Sequence, residues 1–310
     1  MLAVASRERE AAERYASEHQ IERAYGGYEA MLADPDVEAL YISLPNGLHI
    51  EWTARALRAG KHVLCEKPLS RRAAEVKDVF ELARREGRWL MEAFMYRHNP
   101  QTLRLQELVH AGAVGRLRMI LATFSFNDVA SGNVRLAKSL DGGALMDVGC
   151  YCVNAARLLA GEPLRVSAEQ ALGGDGVDIT FAATMRFPGD VLAHLDAGMA
   201  LAPRNELEVV GEDGVLFLAD PWHCRSSVIE LRTAGGVDRI ELEPIDSYRL
   251  EAEDLCRAIR EGSPPLLGRE DAVGQAAAIE ALYEAADSGE TVTLAQPPRG
   301  DRGSPSSGSS

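Results

Sequence analysis

The first 94 residues of this 310-residue chain alternate short apolar runs with amphipathic helical stretches, and this alternation constrains the fold more than any other feature. Strands that alternate with helices are typical of a parallel sheet with crossover helices. We therefore predict most of a Rossmann-like α/β domain at residues 1–94. The predicted strands are residues 2–5, 39–44, 62–65 and 89–92, and the predicted helices are residues 7–18, 49–59 and 72–86.

One part of this domain is expected to be missing. The first predicted strand is followed by Ser6-Arg7-Glu8-Arg9, and the chain contains no G-x-G-x-x-G or G-x-G-x-x-A sequence. Such a turn brings backbone amides against the pyrophosphate of a dinucleotide. Because the sequence opens inside strand-like residues, we expect that one leading β-α unit of the Rossmann-like sheet is absent.

After residue 94 the pattern changes to a helix followed by longer strands of alternating polarity, separated by glycine-containing turns. Such alternation indicates an antiparallel sheet. We predict an α+β domain at residues 95–295, built on an open, mainly antiparallel sheet whose free face pairs subunits in a homodimer or higher homo-oligomer. The predicted strands are residues 117–126, 177–187, 191–196, 207–210, 228–232 and 239–242, and the predicted helices are residues 101–111, 249–261 and 269–288.

The composition narrows the class of protein. A formal charge of -14 would repel a phosphate backbone, so we expect no nucleic-acid partner. The five cysteines are odd in number and lack C-x-x-C spacing, which favours reduced thiols in a cytoplasmic protein without a metal site. No apolar run is long enough for a membrane span, so no membrane partner is expected. The Pro-, Gly- and Ser-rich tail at residues 296–310 is predicted to be disordered.

Lys67 is the first candidate for chemistry. It follows the predicted strand at residues 62–65, and the carboxyl ends of strands in an open α/β sheet are where ligands bind. Pro68 restricts the backbone of Lys67 to extended geometry, so that its side chain is presented at the turn. Taken alone, Lys67 could equally be an exposed lysine at a strand-to-helix turn.

The second candidate region is residues 142–154. If it forms a helix, Asp147, Tyr151 and Asn154 stand at i, i+4 and i+7 and share one face. Gly149 in the middle of that helix costs roughly 1 kcal/mol against alanine and suggests the close approach of another group. Singly, the three polar residues fit structural roles as a helix-dipole carboxylate, a core aromatic and a solvent-facing amide. Beside Lys67, however, Tyr151 would have a lowered pKa and could exchange a proton with an alcohol near neutral pH.

Three segments carry a resemblance to a known family: residues 59–68 (AGKHVLCEKP), 44–49 (LPNGLH) and 143–151 (GALMDVGCY). They resemble the Gfo/Idh/MocA oxidoreductases, in the tyrosine-containing branch that includes D-xylose dehydrogenases, dihydrodiol dehydrogenases, glucose-fructose oxidoreductase and keto-reductases of nucleotide-linked deoxysugars. The resemblance spans nearly the whole chain. It implies hydride exchange between a nicotinamide cofactor and a small-molecule carbohydrate or cyclic polyol, with Lys67 as the active-site lysine, Tyr151 as proton donor or acceptor, and Asp147 orienting the substrate or the tyrosine.

The resemblance also implies contacts. Ser6 and Arg7 follow the first strand, where a hydroxyl and a guanidinium suit a ribose 2′-phosphate; this favours NADP, with NAD as the alternative. The other positions that match cofactor contacts are Leu44, Pro45, Asn46, His49, Glu66 and Lys67, and those that match substrate contacts are Arg97, Arg135 and Asn154.

The favoured expectation is therefore an NAD(P)-dependent aldose 1-dehydrogenase. A reductase of nucleotide-linked keto-sugars is a second expectation, which the residues do not separate from the first. A non-catalytic sensor or regulatory protein is a third, because the glycine-rich phosphate loop is absent from the sequence.

Overall fold

The computed structural model describes residues 1–127, 130 and 132–295, so the predicted tail lies outside the described residues. The first 94 residues form short parallel strands that alternate with helices. The strands are β1 Ala3–Ser6, β2 Arg23–Gly26, β3 Ala39–Ile42, β4 His62–Glu66 and β5 Leu90–Ala93, and the helices are α1 Arg9–Glu18, α2 Tyr28–Leu32, α3 His49–Arg58 and α4 Ala73–Glu86. Every element predicted in this region is present within two residues, whereas β2 and α2 were not predicted.

These strands belong to two parallel sheets, β1-β2 and β3-β4-β5. In the second sheet Cys65 of β4 lies opposite Ile42 of β3 on one side and Glu92 of β5 on the other. The carboxyl ends of the three strands therefore lie at one edge of the sheet, where β4 ends at Glu66 and is followed by Lys67. The expectation of a Rossmann-like parallel fold is confirmed.

Residues 95–295 contain a broad sheet with helices on one face. The helices are α5 Pro100–His110, α6 Cys150–Ala160, α7 Ser247–Glu261 and α8 Arg269–Ser288. The strands are β6 Leu117–Ser125, β7 Arg165–Leu172, β8 Asp178–Arg186, β9 Leu192–Gly198, β10 Arg204–Gly211, β11 Gly214–Leu218, β12 Val228–Thr233, β13 Gly236–Glu241 and β14 Val292–Thr293. Their order is β13-β12-β11-β10-β6-β9-β8-β7-β14, and all neighbours are antiparallel except β6 and β9. This confirms the predicted open, mainly antiparallel sheet.

The two faces of this sheet differ in burial. On β6, Ile120 and Ala122 point into the core beneath α6, whereas Met119 on the opposite face is 38% exposed. α6 thus lies between the sheet and the rest of the protein. α8 connects the two cores, because Ala272 and Ala276 pack with β3, β4 and α4 while later residues of α8 pack with the larger sheet. Within the described residues, no helix has both the length and the apolar character needed to cross a membrane.

Candidate active site

Lys67 lies immediately after β4 and points towards the segment that carries Asp147 and Tyr151. Its Nζ donates a hydrogen bond to the carbonyl oxygen of Asp147 at 2.6 Å and lies 4.7 Å from the centroid of the Tyr151 ring. Burial by itself would lower the pKa of Lys67, but attraction to Cys150 and to nearby carboxylates raises it above its ordinary value. The group beside Tyr151 is therefore an ammonium at neutral pH.

Two buried side chains hold the turn behind Lys67. The side-chain carboxyl oxygen of Glu92, at the end of β5, accepts a hydrogen bond from the Leu69 amide at 2.7 Å. The ring nitrogens of His49 lie 2.9 Å from the carbonyl oxygen of Pro68 and 2.7 Å from that of Leu44. His49 is fully buried, so in this structure it links two loops of the strand edge.

The predicted helix at residues 142–154 begins with a π-helical segment, Leu145–Gly149, which runs directly into α6. Wide π turns of this kind are frequent at functional sites. A Cβ atom on Gly149 would lie 3.0 Å from the Cβ of Ala197 on β9, so the glycine lets the segment approach the sheet closely, as predicted. The approach places Asp147 and Tyr151 at the edge of the sheet that faces Lys67.

A cavity of about 870 Å³ opens where these groups meet. Five of the predicted site residues line it: Glu66, Lys67, Arg135, Asp147 and Tyr151. Arg135 Nε forms an ion pair with Asp147 Oδ2 at 2.8 Å, and the hydroxyl of Tyr41 donates to Glu66. The cavity therefore combines a cation, carboxylates and a phenol, the residue types that suit proton exchange with an oxygen-rich ligand.

Tyr151 is held by other aromatic rings. Its centroid lies 5.5 Å from that of Phe94, 5.6 Å from that of Phe124 and 6.0 Å from that of Trp222. Burial raises the pKa of Tyr151 well above its usual value. This corrects the expectation that Lys67 lowers it: the ammonium lies over the ring face, while the apolar surroundings disfavour a phenolate.

The predicted cofactor contacts lie in two places. Ser6 ends β1 and Arg7 follows it, and the side chain of Arg7 forms no hydrogen bond or ion pair with the described part of the chain. Leu44 and Pro45 lead into a short turn at the edge of β3, where the side chain of Asn46 donates to the carbonyl oxygen of Asp141 at 3.0 Å. Asn46 thus connects the edge of β3 to residues 95–295.

Arg97 and Asn154 are not among the residues that line the cavity. The carbonyl oxygen of the Asn154 side chain accepts hydrogen bonds from the Tyr96 hydroxyl at 2.6 Å and from Arg97 Nη1 at 3.1 Å, and the same Arg97 nitrogen lies 3.2 Å from Asp271. Asn154 shares a helix face with Tyr151, as expected. Three residues place it about 4.5 Å further along the helix axis, however, and there Tyr96 and Arg97 cover it.

Comparison with known proteins identifies the family. A model described as an oxidoreductase family with an NAD-binding Rossmann fold matches residues 1–94, and a model of the GFO/IDH/MocA C-terminal domain matches residues 102–217. The chain is 40% identical over 299 residues to D-xylose 1-dehydrogenase (NADP(+)) 2 of Haloferax volcanii, covering 94% of this chain and 91% of the relative. The chain belongs to the Gfo/Idh/MocA oxidoreductase family. The family resemblance of the sequence motifs is therefore confirmed.

Further relatives of this Gfo/Idh/MocA protein have different named activities. A dTDP-3,4-didehydro-2,6-dideoxy-alpha-D-glucose 3-reductase of Streptomyces violaceoruber is 37% identical over 295 residues, covering 92% of this chain and 85% of the relative. Two solved structures superpose with a TM-score of 0.87. One is an aldose-aldose oxidoreductase from Caulobacter crescentus complexed with glycerol, at 29% identity and covering 95% of this chain and 91% of that one. The other is a 3-ketoreductase from Actinomadura kijaniata in complex with NADP and TDP-benzene, at 32% identity and covering 92% and 89%.

Several cavity residues of this Gfo/Idh/MocA protein were not predicted from its sequence. They come from β6, from the start of β10, from the connection between β11 and β12 and from the start of α7, and they are Phe124, Arg204, Trp222, His223, Arg225 and Tyr248. Trp222 and His223 offered a weak signal, because an adjacent Trp-His pair in a turn between two strands is an unusual place for large side chains. The others have no local pattern that separates them from surface residues.

Proposed function

We propose that this protein is an NADP-dependent oxidoreductase that transfers a hydride between the nicotinamide and a carbohydrate, with oxidation of an aldose at C1 as the favoured reaction. The observation that carries the proposal is the meeting of Lys67, Asp147 and Tyr151 at one end of a large cavity beside the carboxyl edge of a parallel sheet. The 40% identical NADP-dependent D-xylose dehydrogenase supports the choice of substrate class.

Residues at the end of β1 and in the cavity fit the 2′-phosphate and the reacting end of such a cofactor. Arg7 is exposed and unpaired in the described residues, and Ser6 places a hydroxyl beside it at the end of β1, where a 2′-phosphate needs a cation and a donor. Glu66 and Lys67 bring charged groups from the neighbouring sheet to the cavity. When bound, the nicotinamide supplies or accepts the hydride, and the protein supplies binding, orientation and proton transfer.

Tyr151 is proposed as the group that exchanges the proton at its Oη. Because burial raises its pKa, Tyr151 is a neutral phenol at neutral pH and is poised to donate a proton to a carbonyl oxygen during reduction. Oxidation of an alcohol requires the reverse transfer to a phenolate. The rate of oxidation should therefore increase as the pH is raised, and the rate of reduction should decrease.

Lys67 is proposed to orient the reacting oxygen. An ammonium has three N–H donors, and among the described residues only the carbonyl of Asp147 accepts one of them. The remaining donors face Tyr151 and the cavity. Asp147, held by Arg135, would accept a hydrogen bond from a neighbouring sugar hydroxyl.

A second candidate is the reduction of a nucleotide-linked keto-sugar. Arg225 lies on the cavity wall, and its guanidinium forms no ion pair with the described residues, so it is free to bind a phosphate. Arg204, in contrast, is paired with Asp196. The neutral phenol of Tyr151 and the relatives named as 3-reductases also favour this reaction.

Steady-state assays separate the two candidates. The purified protein is tested with NADP and a panel of free aldoses that includes D-xylose, and with NADPH and dTDP-linked keto-sugars. Turnover of free aldoses only would support the dehydrogenase; turnover of the nucleotide-linked sugars only would replace it with the reductase. Inactivity with both classes would contradict the proposal.

The role of Tyr151 is tested by Tyr151→Phe. This variant should lower kcat by about 10²- to 10⁴-fold, the usual contribution of general acid-base catalysis, while NADPH affinity measured by fluorescence titration stays within twofold. Tyr15→Phe is the matched control, because Tyr15 is 47% exposed on α1 and its hydroxyl forms no hydrogen bond with the described residues. Full turnover by Tyr151→Phe would remove Tyr151 from the mechanism.

A further inference from the structure

Asp178 is a buried carboxylate, outside the cavity, that contacts the start of the helix bearing the proposed catalytic groups. It begins β8 and is 2% exposed. Its Oδ2 accepts a hydrogen bond from the Leu145 amide at 2.7 Å, and its Oδ1 accepts one from the Tyr283 hydroxyl at 2.9 Å. Leu145 is the first residue of the π-helical segment, so Asp178 binds an amide that has no partner within the helix.

The turn before the helix is shaped to admit this carboxylate. Gly143 has a φ of +132°, and a Cβ atom there would lie 2.1 Å from Asp178 Oδ1. A side chain at residue 143 would therefore displace the carboxylate as well as strain the backbone. The same glycine anchors the next turn, because its carbonyl oxygen accepts a hydrogen bond from the Asp147 amide at 2.9 Å.

The contacts of Asp178 continue to the segment that carries Lys67. The Tyr283 ring lies against Arg71, whose guanidinium carbon is 3.8 Å from the ring centroid. Arg71 follows Lys67 by four residues and also forms an ion pair with Asp141 at 3.7 Å. A continuous path of contacts thus runs from the Lys67 turn through Arg71 and Tyr283 to Asp178 and the start of the helix.

The charge of Asp178 is kept at a cost to folding. Burial raises its pKa from the usual value to about 6, against the opposing effect of the Leu145 amide and the Tyr283 hydroxyl. A carboxyl whose folded pKa is raised favours the folded state in its protonated form, and that contribution is lost as the pH rises to the folded pKa. At pH 7 the ionised group therefore weakens the fold relative to its protonated form, which argues for a role other than stability.

We propose that Asp178 is a positioning residue that fixes the start of the π-helical segment and so holds Asp147 and Tyr151 in register with Lys67. The inference rests on the proposed function for its catalytic consequence. Independently of turnover, the segment at residues 143–151 should lose its fixed position when both acceptor oxygens of Asp178 are removed.

The test compares Asp178→Leu with the conservative Asp178→Asn. Leucine has the same branching at Cγ, with methyl groups larger than the oxygens that they replace, and it has no acceptor. Asparagine keeps one oxygen for the Leu145 amide, and its NH₂ can donate to the Tyr283 hydroxyl, which can rotate to accept. We expect Asp178→Leu to lower kcat by about 10- to 100-fold, the size of effect that small misplacements of reacting groups produce. Asp178→Asn should stay within about threefold of wild type, and NADPH affinity should be unchanged in both.

Controls separate positioning from a general loss of folding. Asp175→Asn changes an exposed carboxylate in the preceding loop and should have wild-type kcat. Tyr283→Phe removes one hydrogen bond, leaves the carboxylate in place and should lower kcat by a few-fold, which keeps the inference testable if Asp178→Leu does not fold. If the folded fraction of Asp178→Leu retains the wild-type kcat, the inference is overturned. If Asp178→Leu is not obtained in folded form, a wild-type kcat in Tyr283→Phe overturns it instead.

Amide hydrogen exchange, followed by mass spectrometry, tests the same inference without turnover. Peptides that cover residues 143–151 should exchange at least tenfold faster in Asp178→Leu than in wild type, whereas Asp178→Asn should match wild type. If the wild-type protein is inactive on every sugar, the proposed function fails but this measurement still decides the position of Asp178. Unchanged exchange in Asp178→Leu would overturn the positioning role even if the enzyme assay succeeds.

Discussion

Replacing Asn154 with alanine distinguishes the role expected from the sequence from the role that the structure gives this residue. The sequence motifs place Asn154 at a substrate contact. In the structure the side chain is completely buried, accepts hydrogen bonds from Tyr96 and Arg97, and donates one to Gln275 at 3.3 Å. Asn154→Ala should therefore reduce the stability of the protein and leave its affinity for sugar unchanged.

The size of the loss follows from the partners left behind. Removing the oxygen leaves the buried Tyr96 hydroxyl without an acceptor, which costs roughly 1–3 kcal/mol. Arg97 keeps its interaction with Asp271, so the loss of the hydrogen bond from Arg97 to Asn154 costs a free energy at the low end of that range. Together these give about 2–4 kcal/mol. With a shift of roughly 2–4 °C for each kcal/mol, the slope of domains of about 150–250 residues, the melting temperature should fall by roughly 4–16 °C.

Urea denaturation and steady-state kinetics together form the assay. We expect the urea midpoint to fall with an unchanged slope, and the KM for the best sugar to stay within twofold at a temperature where the variant is folded. Asn127→Ala, at an exposed position without hydrogen bonds in the described residues, should change stability by less than about 0.5 kcal/mol. A tenfold higher KM with unchanged stability would refute the structural placement and restore the substrate contact.

Three further predictions concern the cofactor, a buried carboxyl and the free sheet face. Arg7→Ala should raise the KM for NADP by roughly 10- to 100-fold and leave the KM for NAD nearly unchanged, because only NADP has a phosphate for the guanidinium; equal effects on both would contradict this role. Burial raises the pKa of Glu251 to about 8, so wild type should lose stability relative to Glu251→Gln as the pH rises from 4.5 to 8. In urea denaturation this loss should be on the order of 2 kcal/mol or more. A stability difference that stays constant between pH 5 and pH 8 would refute the prediction. Met119→Asp places a charge on the uncovered sheet face and should dissociate the predicted homo-oligomer in sedimentation experiments, a prediction that a monomeric wild type would overturn.

Local patterns were sufficient where an element is long and its periodicity is clear. The helix predicted at residues 269–288 has the observed bounds of α8, and the position of Lys67 followed from the apolar run of β4. β2 was not predicted because its residues, RAYG, are not an apolar run like those of the other four-residue strands, and α2 was not predicted because five residues are too few for a helical period to emerge. Sequence motifs similarly indicated Asp147 and Tyr151, which the structure brings to Lys67.

Other features depend on residues that are distant in sequence. The expected fall in the pKa of Tyr151 considered only its nearest cation, whereas the raised value reflects burial among Phe94, Phe124 and Trp222. Likewise, Asn154 lies on the expected helix face, but whether that face meets solvent or Tyr96 is decided by how the helix packs.

The amino-acid sequence by itself thus determined most of the strands and helices, the family and the chemical groups available to the site, because each of these depends on residue type and short-range spacing. Only the tertiary structure decided which groups face the cavity, which are enclosed and which carry a shifted pKa. Those properties arise from burial and from contacts between segments 80 or more residues apart, such as the hydrogen bonds of Lys67 with Asp147 and of Tyr283 with Asp178. No local pattern in the chain encodes them.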